Sequence, residues 1–189
     1  MSPRQTAKRY APQRVYLLQK DGDKVFLGDL VDHEYADQTA GLEQACVYIA
    51  IVNSAGEIYI QHRAETKRLW PNRKTISASG HVDPGETFEQ AAVREVKEEL
   101  GIELNVRDLH LIGWFTGLSH AGPVYEARSN QTPIPNPEEL DVEKSGFLGV
   151  PQLERLLADP GLFSPAGNLA LGVWLSTTAS RRHRGKNVR

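Results

Sequence analysis

The chain has 189 residues, of which 40% are hydrophobic and 24% are charged, and this composition is typical of a globular protein and excludes the disordered and fibrous classes. The formal net charge of −2 conceals an uneven distribution, because residues 1–20 and 181–189 each hold five basic residues and no acidic one, and the stretch between them holds 12 basic against 24 acidic residues. No apolar run approaches the roughly 20 residues that span a bilayer, and the first residues lack the apolar segment of a secretory signal, so we expect a cytoplasmic protein with no membrane partner.

Both ends of the sequence are predicted to be tails. Residues 1–13 and 181–189 are polar and basic and show no apolar periodicity, so we expect flexible basic tails on either side of one domain at residues 14–180. Basic tails can contact nucleic acid, but no aromatic residue lies among the bases of residues 181–189 to stack on nucleotides. A nucleic-acid partner is therefore not favoured.

The first part of the domain is predicted to be mostly β-structure. Residues 15–19 and 24–30 indicate a β-hairpin. Residues 45–53 form a near-continuous apolar run, typical of a buried central strand, and residues 57–62 alternate as a half-buried strand does. Cys46 lies in the apolar run and is the single cysteine, so we expect a small core residue without a disulfide partner.

The clearest helix is predicted over residues 87–100. Thr87 and Gln90 stand three residues apart as a capping box, and Gly101 supplies a C-terminal stop. Around this helix we predict a basic loop at 63–74, strands at 75–77, 110–116, 124–128 and 147–150, and short helices at 151–158 and 166–179.

Three glutamates, Glu95, Glu98 and Glu99, stand close together on this predicted helix. Their spacing of i, i+3 and i+4 makes them repel one another by a few tenths of a kcal/mol per pair. They also lie in the C-terminal half, where the helix dipole disfavours anions. A solvated acidic face is the simplest interpretation, but a locally unfavourable arrangement is also what a functional site produces.

The residues around these glutamates favour a functional site. Gly80 and Gly85 bracket a loop that enters the helix, and Glu86 follows at the end of that loop. Arg94 is four residues before Glu98, where it can orient that carboxylate. A loop carbonyl with several carboxylates forms an oxygen-rich site, which suits a hard divalent cation such as Mg²⁺ or Mn²⁺.

The segment from residue 80 to residue 102 resembles a known motif. It has the order Gly80, five residues, Glu86, seven residues, Arg94-Glu95, Val96, Lys97, Glu98-Glu99, Leu100, Gly101 and Ile102. This is similar to the complete signature of the Nudix hydrolases, with every fixed position filled. The resemblance implies an α+β fold, the α/β/α sandwich of that family with a mixed central sheet, here extended by the N-terminal β-hairpin. It also implies metal-dependent hydrolysis of a nucleoside diphosphate linked to another moiety.

The resemblance also implies roles for individual residues. The metal ligands would be Glu95 and Glu99, with Glu98 beside them, the Gly80 carbonyl completing the shell and Glu86 acting directly or through water. The general base would be one of the glutamates or an acid from a later loop.

Two further catalytic assignments follow from the same resemblance. Arg94 would hold a carboxylate in position. For the acid of the later loop we predict Glu139, with Glu138 and Glu143 as alternatives, although each of the three also fits an ordinary surface charge.

The sequence also resembles the isopentenyl diphosphate isomerase branch of the Nudix superfamily, through VDHEYADQT before the central strand and HRAETKRLWPN before SASGHVDPGE. That branch uses a catalytic cysteine where this chain has Ser79, and histidine metal ligands where it has Asp37 and Gln44. Its Nudix signature is usually degenerate, whereas this one is intact. We therefore expect a hydrolase in an isomerase-like frame, with an isomerase or a non-catalytic nucleotide-binding domain as alternatives.

The basic loop is the predicted phosphate-binding segment. A diphosphate that approaches an acidic metal site needs cationic partners, and Arg63 and Lys67 match basic positions of the isomerase branch. His81 follows Gly80 and is a candidate metal or substrate ligand, with an ordinary loop histidine as the alternative. The expected partner is a small-molecule diphosphate, and the chain is expected to be a monomer or a homodimer.

Overall fold

A computed structural model of the chain describes residues 14–22, 24–117, 119–159 and 161–186. The predicted N-terminal tail, residues 1–13, lies outside these ranges. The strands are β1 (Arg14–Asp21), β2 (Lys24–Asp32), β3 (Gln44–Val52), β4 (Ile58–His62), β5 (Lys74–Thr75), β6 (Ala78–His81), β7 (His110–Gly117), β8 (His120–Arg128) and β9 (Gly146–Leu148). The helices are α1 (His33–Gln38), α2 (Phe88–Leu100), α3 (Val150–Leu157) and α4 (Pro165–Lys186), with a short 3₁₀ helix at Val106–Asp108.

The strands form a mixed sheet with β3 at its centre. β3 pairs antiparallel with β1, β4 and β6 and parallel with β8. β2 pairs with β1, β7 with β8, and β5 and β9 with β4. The predicted mixed sheet and N-terminal hairpin are therefore both confirmed.

Strand β3 separates two apolar layers. All of its residues are buried, as expected for an apolar run that is covered on both faces. Val47, Ile49 and Ile51 pack with residues of α2, whereas the side chains between them pack with residues of α3 and α4, including Leu153 and Trp174. This alternation gives the predicted α/β/α sandwich.

The structure differs from the sequence prediction at three elements, one of which the sequence did not predict. The strand expected at residues 75–77 is replaced by β5 and β6, because the Ser77 hydroxyl donates to the Tyr59 carbonyl and accepts from the Ile51 amide. Helix α1 was not expected, and the Asp32 carboxylate caps it. Helix α4 continues to Lys186, so it is longer than the predicted helix at 166–179 and includes the first residues of the predicted tail at 181–189.

The end of α4 is attached to the sheet. The Arg181 guanidinium donates to the Glu126 carboxylate over 2.7 Å. Among the described helices, none combines the length and apolar character of a membrane span.

Candidate metal and phosphate site

Helix α2 presents the three glutamates of its C-terminal half to different environments. The Thr87 and Gln90 capping box begins the helix and the left-handed Gly101 ends it, as predicted. The Glu95 side chain is 13% exposed and the Glu98 side chain 59%, while Glu99 is 6% exposed. The three glutamates are neighbours on the helix, as predicted. They do not share one environment, because Glu95 and Glu99 turn inward and Glu98 turns outward.

Strand β6 lies directly over the inward glutamates. A Cβ atom built on Gly80 would stand 2.0 Å from Glu95 Oε1, so any larger residue would displace the Glu95 carboxylate. The signature glycine therefore allows close approach of the strand backbone to the Glu95 carboxylate. This contact brings the predicted Gly80 and Glu95 ligands together.

The Glu99 carboxylate is held from two sides. Its Oε2 accepts hydrogen bonds from Gln61 Nε2 at 2.6 Å and from the Ser79 amide at 3.1 Å. Gln61 is buried and was not predicted as a site residue. The signal was present, since a buried amide in the apolar strand β4 requires a polar partner.

The two inward carboxyls resist ionisation. Burial, with smaller contributions from Glu98 and Asp83, raises the pKa of Glu95 to about 7 despite the opposing Arg94. Burial, then the charges of Glu95 and Glu139, raises the pKa of Glu99 well above its usual range. A cation placed between these groups would relieve both effects.

Arg94 connects the loop to the helix. Its guanidinium donates two bonds to Glu86, at 2.8 and 2.9 Å, and one to Glu95 at 2.6 Å. It also donates to the His81 carbonyl at 2.9 Å. The predicted partner Glu98 is the most distant of these acceptors, at 3.3 Å. Arg94 thus positions chiefly Glu86 and Glu95, because a planar guanidinium matches a carboxylate through two parallel bonds.

The loop between β8 and β9 that contains Pro133, Pro135 and Pro137, here the Pro-rich loop, packs on the end of α2. The Ile134 amide donates to the Leu100 carbonyl at 2.7 Å, and the Asn136 amide donates to the Glu99 carbonyl at 2.9 Å. These bonds satisfy carbonyls that a helix end leaves without internal partners. The loop then places Glu139 near Glu99, as the charge interaction between them indicates.

The alternatives to Glu139 lie elsewhere. Glu138 and Glu143 are exposed, whereas Glu139 is half-buried. Of the three candidates, Glu139 is thus the least exposed, and its charge acts on Glu99.

The basic loop reaches the same region. The Lys67 ammonium forms an ion pair with the Glu139 carboxylate. The Arg63 guanidinium donates two bonds to the Leu69 carbonyl, at 3.1 and 2.9 Å, and interacts electrostatically with Glu99 and Glu139. Lys67 thus lies at the edge of the site, and Arg63 stabilises the basic loop through its bonds to the Leu69 carbonyl.

The His81 side chain points away from Glu95, to the face of β6 opposite the one that packs on α2. Successive residues of a strand point to opposite faces, and Gly80 already faces Glu95. His81 Nε2 is 2.8 Å from Gln44 Oε1, and Gln44 Nε2 donates to Asp37 at 2.9 Å. The predicted ligand His81 therefore stays apart from the α2 carboxylates, next to the two residues aligned with isomerase histidines.

Comparison with known proteins agrees with this architecture. The NUDIX domain model matches residues 42–164. A Nudix hydrolase of Deinococcus radiodurans is 40% identical over 92 residues, which are 47% of this chain and 54% of the relative. An isopentenyl-diphosphate Delta-isomerase of Saccharopolyspora erythraea is 30% identical over 138 residues, 68% of this chain and 69% of that protein.

A solved structure extends the similarity to the whole fold. A crystal structure from Deinococcus radiodurans gives a TM-score of 0.66 at 29% identity, with 85% of this chain and 97% of that chain covered. Among the curated relatives, the chain spans only about half the length of the first Nudix matches, at 54% and 56%.

Proposed function

The chain belongs to the NUDIX domain family, and from this premise we propose that it is a divalent-metal-dependent hydrolase of a diphosphate linkage. The substrate would be a nucleoside diphosphate joined to another moiety, such as a nucleotide or a sugar. The observation that carries the proposal is the pair of inward carboxyls beside Gly80, the buried Glu99 and the largely covered Glu95. Burial of two neighbouring carboxylates is costly unless a cation neutralises them.

The residues present fit a hard cation. Glu95, Glu99 and the Gly80 carbonyl supply oxygen atoms, which Mg²⁺ and Mn²⁺ prefer. Glu86 gives both carboxylate oxygens to Arg94, which supports binding through water more than direct ligation. A bound Mg²⁺ or Mn²⁺ would neutralise charge on the diphosphate and make its phosphorus more susceptible to water.

Two carboxylates border this pair and can accept the proton of the attacking water. Glu98 is the exposed member of the helix, and Glu139 approaches from the Pro-rich loop. We propose these two as the candidate general bases. Glu98→Gln and Glu139→Gln distinguish them, because the variant that lacks the base loses turnover by about 10²-fold or more and changes the acidic limb of the pH–rate profile.

Cationic groups at the rim would position the substrate. Lys67 lies beside Glu139, and a diphosphate oxygen could replace that carboxylate as its partner. Arg63 would act mainly through the loop, because its guanidinium is bound to the Leu69 carbonyl. Arg94 would keep Glu95 in position while the substrate binds.

A substrate panel tests the proposal. The purified chain would be incubated with nucleoside di- and triphosphates, nucleotide sugars, dinucleoside polyphosphates, coenzyme A and dinucleotide cofactors, with Mg²⁺, Mn²⁺ or EDTA. We expect release of phosphate, pyrophosphate or a nucleoside monophosphate from at least one compound, and its loss in EDTA and in Glu99→Gln. Absence of cleavage across the panel with either ion would overturn the proposal.

An isomerase is the second candidate, favoured by the similarity to an isopentenyl-diphosphate Delta-isomerase. Ser79 occupies the position of the catalytic cysteine in that branch and has no thiol for proton transfer. Incubation with isopentenyl diphosphate in deuterated water separates the two functions. Deuterium incorporation or isomerised product would support the isomerase, and unchanged substrate would leave the hydrolase.

A further inference from the structure

A cavity lies on the face of the sheet opposite α2, between the last residues of β3 and β8 and helix α4. It has a volume of about 290 Å³ and is lined by Val52 and the β3–β4 turn, by Glu126 and Arg128 of β8, and by Trp174, Thr178 and Arg181 of α4. Val52 and Trp174 belong to the apolar layer of α3 and α4, on the other side of the sheet from the layer of α2. Gly80 is opposite Val47 in the β3–β6 pairing, so the cavity lies about 17 Å further along β3. It is therefore separate from the α2 carboxylates.

A buried carboxylate lines the cavity and holds a basic side chain. The Glu126 side chain is 4% exposed. Its Oε2 accepts from Trp174 Nε1 at 3.0 Å, and its Oε1 accepts from the Arg181 guanidinium at 2.7 Å. Arg128 Nε is 3.8 Å from the same Oε1. Both carboxylate oxygens thus have partners inside the protein, and Glu126 acts as a fixed counter-ion for the two arginines.

The two guanidinium groups retain donors for a ligand. A guanidinium has five N–H donors. Within the described part of the chain, Arg181 uses its guanidinium for the bond to Glu126, and the Arg128 guanidinium makes no hydrogen bond. Both arginines are exposed. Two positive charges and one negative charge leave the cavity with a net charge of one positive, which a single anionic group would neutralise.

The rim of the cavity is fixed, and one of its walls is apolar. The Ser54 amide of the β3–β4 turn donates to Asn130 Oδ1, beyond the end of β8, at 2.9 Å. This bond ties the turn to the chain that follows β8, so a ligand has little to order when it binds. Val52 and the Trp174 ring supply the apolar wall, against which a hydrocarbon group can be buried.

We propose that this cavity binds a small organic anion, a molecule with one carboxylate group on a compact apolar body such as a single ring. The carboxylate would accept hydrogen bonds from the Arg128 and Arg181 guanidiniums, whose planar donors match its two oxygens. The apolar body would lie against Val52 and Trp174. The volume is at the small end of the range for ligand pockets, about 300–1,000 Å³, and this favours a body of one ring. The inference is independent of the proposed hydrolysis.

Titration of the ¹⁵N-labelled chain with benzoate, at constant ionic strength, tests the proposal. The indole N–H resonance of Trp174, assigned with Trp174→Phe, reports on the cavity. We expect it to shift saturably with a Kd of about 1 mM or lower, as for an efficient ligand of this size. Benzyl alcohol and benzylamine keep the ring and replace the anion by a neutral group or a cation, so both should bind at least about 10-fold more weakly.

The same titration separates this site from the proposed hydrolase. Glu99→Gln in EDTA should bind benzoate with wild-type affinity, because the α2 carboxylates lie on the other face of the sheet. Loss of diphosphate hydrolysis and loss of benzoate binding are therefore distinguishable results. A Trp174 shift that disappears in Glu99→Gln would place benzoate at the α2 site and overturn the proposal.

Variants assign the two arginines. Arg128→Gln and Arg181→Gln should each weaken benzoate binding by at least about 10-fold. Arg155→Gln is the matched control, because Arg155 is exposed on α3 and should leave the titration unchanged. If Arg181→Gln alters the fold, as judged by circular dichroism, Arg128→Gln decides. Absence of a saturable shift, wild-type affinity in Arg128→Gln, or tighter binding of benzylamine than of benzoate would each overturn the proposal.

Discussion

Two kinds of glutamate occupy one turn of helix α2. Glu95 and Glu99 are turned toward strand β6, where Gly80 and the Ser79 amide contact them. Glu98 lies between them in sequence, yet more than half of its side chain is exposed, at 59%. The same residue type on one helix therefore stands in two environments, since burial makes the charge of a carboxylate costly, whereas exposure keeps the carboxylate in water.

Of the substitutions that distinguish the inward glutamates from the exposed one, Glu99→Gln should have the largest effect on turnover. We expect turnover to fall by about 10³-fold, because a charge that acts at the reacting centre is lost. The fold should remain intact, since a glutamine oxygen can still accept from Gln61 and the Ser79 amide. Steady-state kinetics with Mg²⁺ and Mn²⁺ measure this change.

The control for that variant is Glu103→Gln, an exposed glutamate beyond the helix that pairs with Lys97. It should keep wild-type turnover. Near-wild-type rates in Glu99→Gln with both ions would show that the inward pair is not the metal site.

Arg94→Lys tests the support of the inward pair. A lysine cannot reproduce the planar fork that binds Glu86 and also reaches Glu95, so we expect about 10²-fold lower turnover and a loss of about 1–3 kcal/mol of unfolding free energy. Kinetics and urea unfolding measure the two effects. Arg107→Lys, in the exposed 3₁₀ helix, should show neither, and equal behaviour of the two variants would remove the positioning role of Arg94.

Lys67→Ala tests whether the basic residue at the edge of the site binds the substrate and not the metal. We expect KM to rise by about 10-fold with kcat within about threefold of wild type, because a phosphate contact equally strong in ground and transition states affects binding alone. Lys24→Ala is the control, because Lys24 is exposed at the start of the hairpin strand β2. A large fall in kcat at unchanged KM would instead assign Lys67 to the control of Glu139.

The pH dependence of stability without metal should reflect the inward pair. The folded-state pKa of Glu95 is raised from 4.5 to about 7, so the folded chain binds more protons than the unfolded chain between these values. The stabilising contribution is therefore complete below pH 4.5 and is lost as pH rises to about 7.

Urea unfolding in EDTA across this range measures that loss, and Mg²⁺ should reduce it at the upper end. Glu95→Gln should flatten the profile. A wild-type stability that rises with pH over this window, with no difference in the variant, would contradict the assignment.

Glu98→Gln should have the smallest effect on stability. An exposed glutamate with one bond of 3.3 Å to Arg94 contributes within about 0.5 kcal/mol. Urea unfolding should therefore give a wild-type midpoint and an unchanged pH profile. A shift as large as that of Glu95→Gln would mean that the two glutamates share one environment.

Sequence patterns predict the features that depend on neighbouring residues and miss those that depend on packing between distant segments. The capping box and the glycine stop are local, so helix α2 was predicted correctly. The distinction between Glu98 and Glu99 was not, because burial depends on how β6 and the Pro-rich loop pack over the helix.

The polar groups behind the site illustrate the same limit. Gln61 reaches Glu99 from another strand, and Gln44 meets His81 only through the register of β3 and β6. Strand register is set by tertiary packing and is not written in the spacing of these residues. The extension of α4 beyond the predicted helix at 166–179 has a related reason, since Arg181 bonds to Glu126 of the distant strand β8.

The most direct test of the central claim is Mn²⁺ binding followed by electron paramagnetic resonance, in wild type, Glu99→Gln and Glu98→Gln. The inward carboxyl pair predicts that wild type and Glu98→Gln bind Mn²⁺ with similar affinity, and that Glu99→Gln binds at least about 10-fold more weakly. Undiminished Mn²⁺ binding in Glu99→Gln, with loss of binding in Glu98→Gln, would contradict the assignment of the buried pair as the metal site.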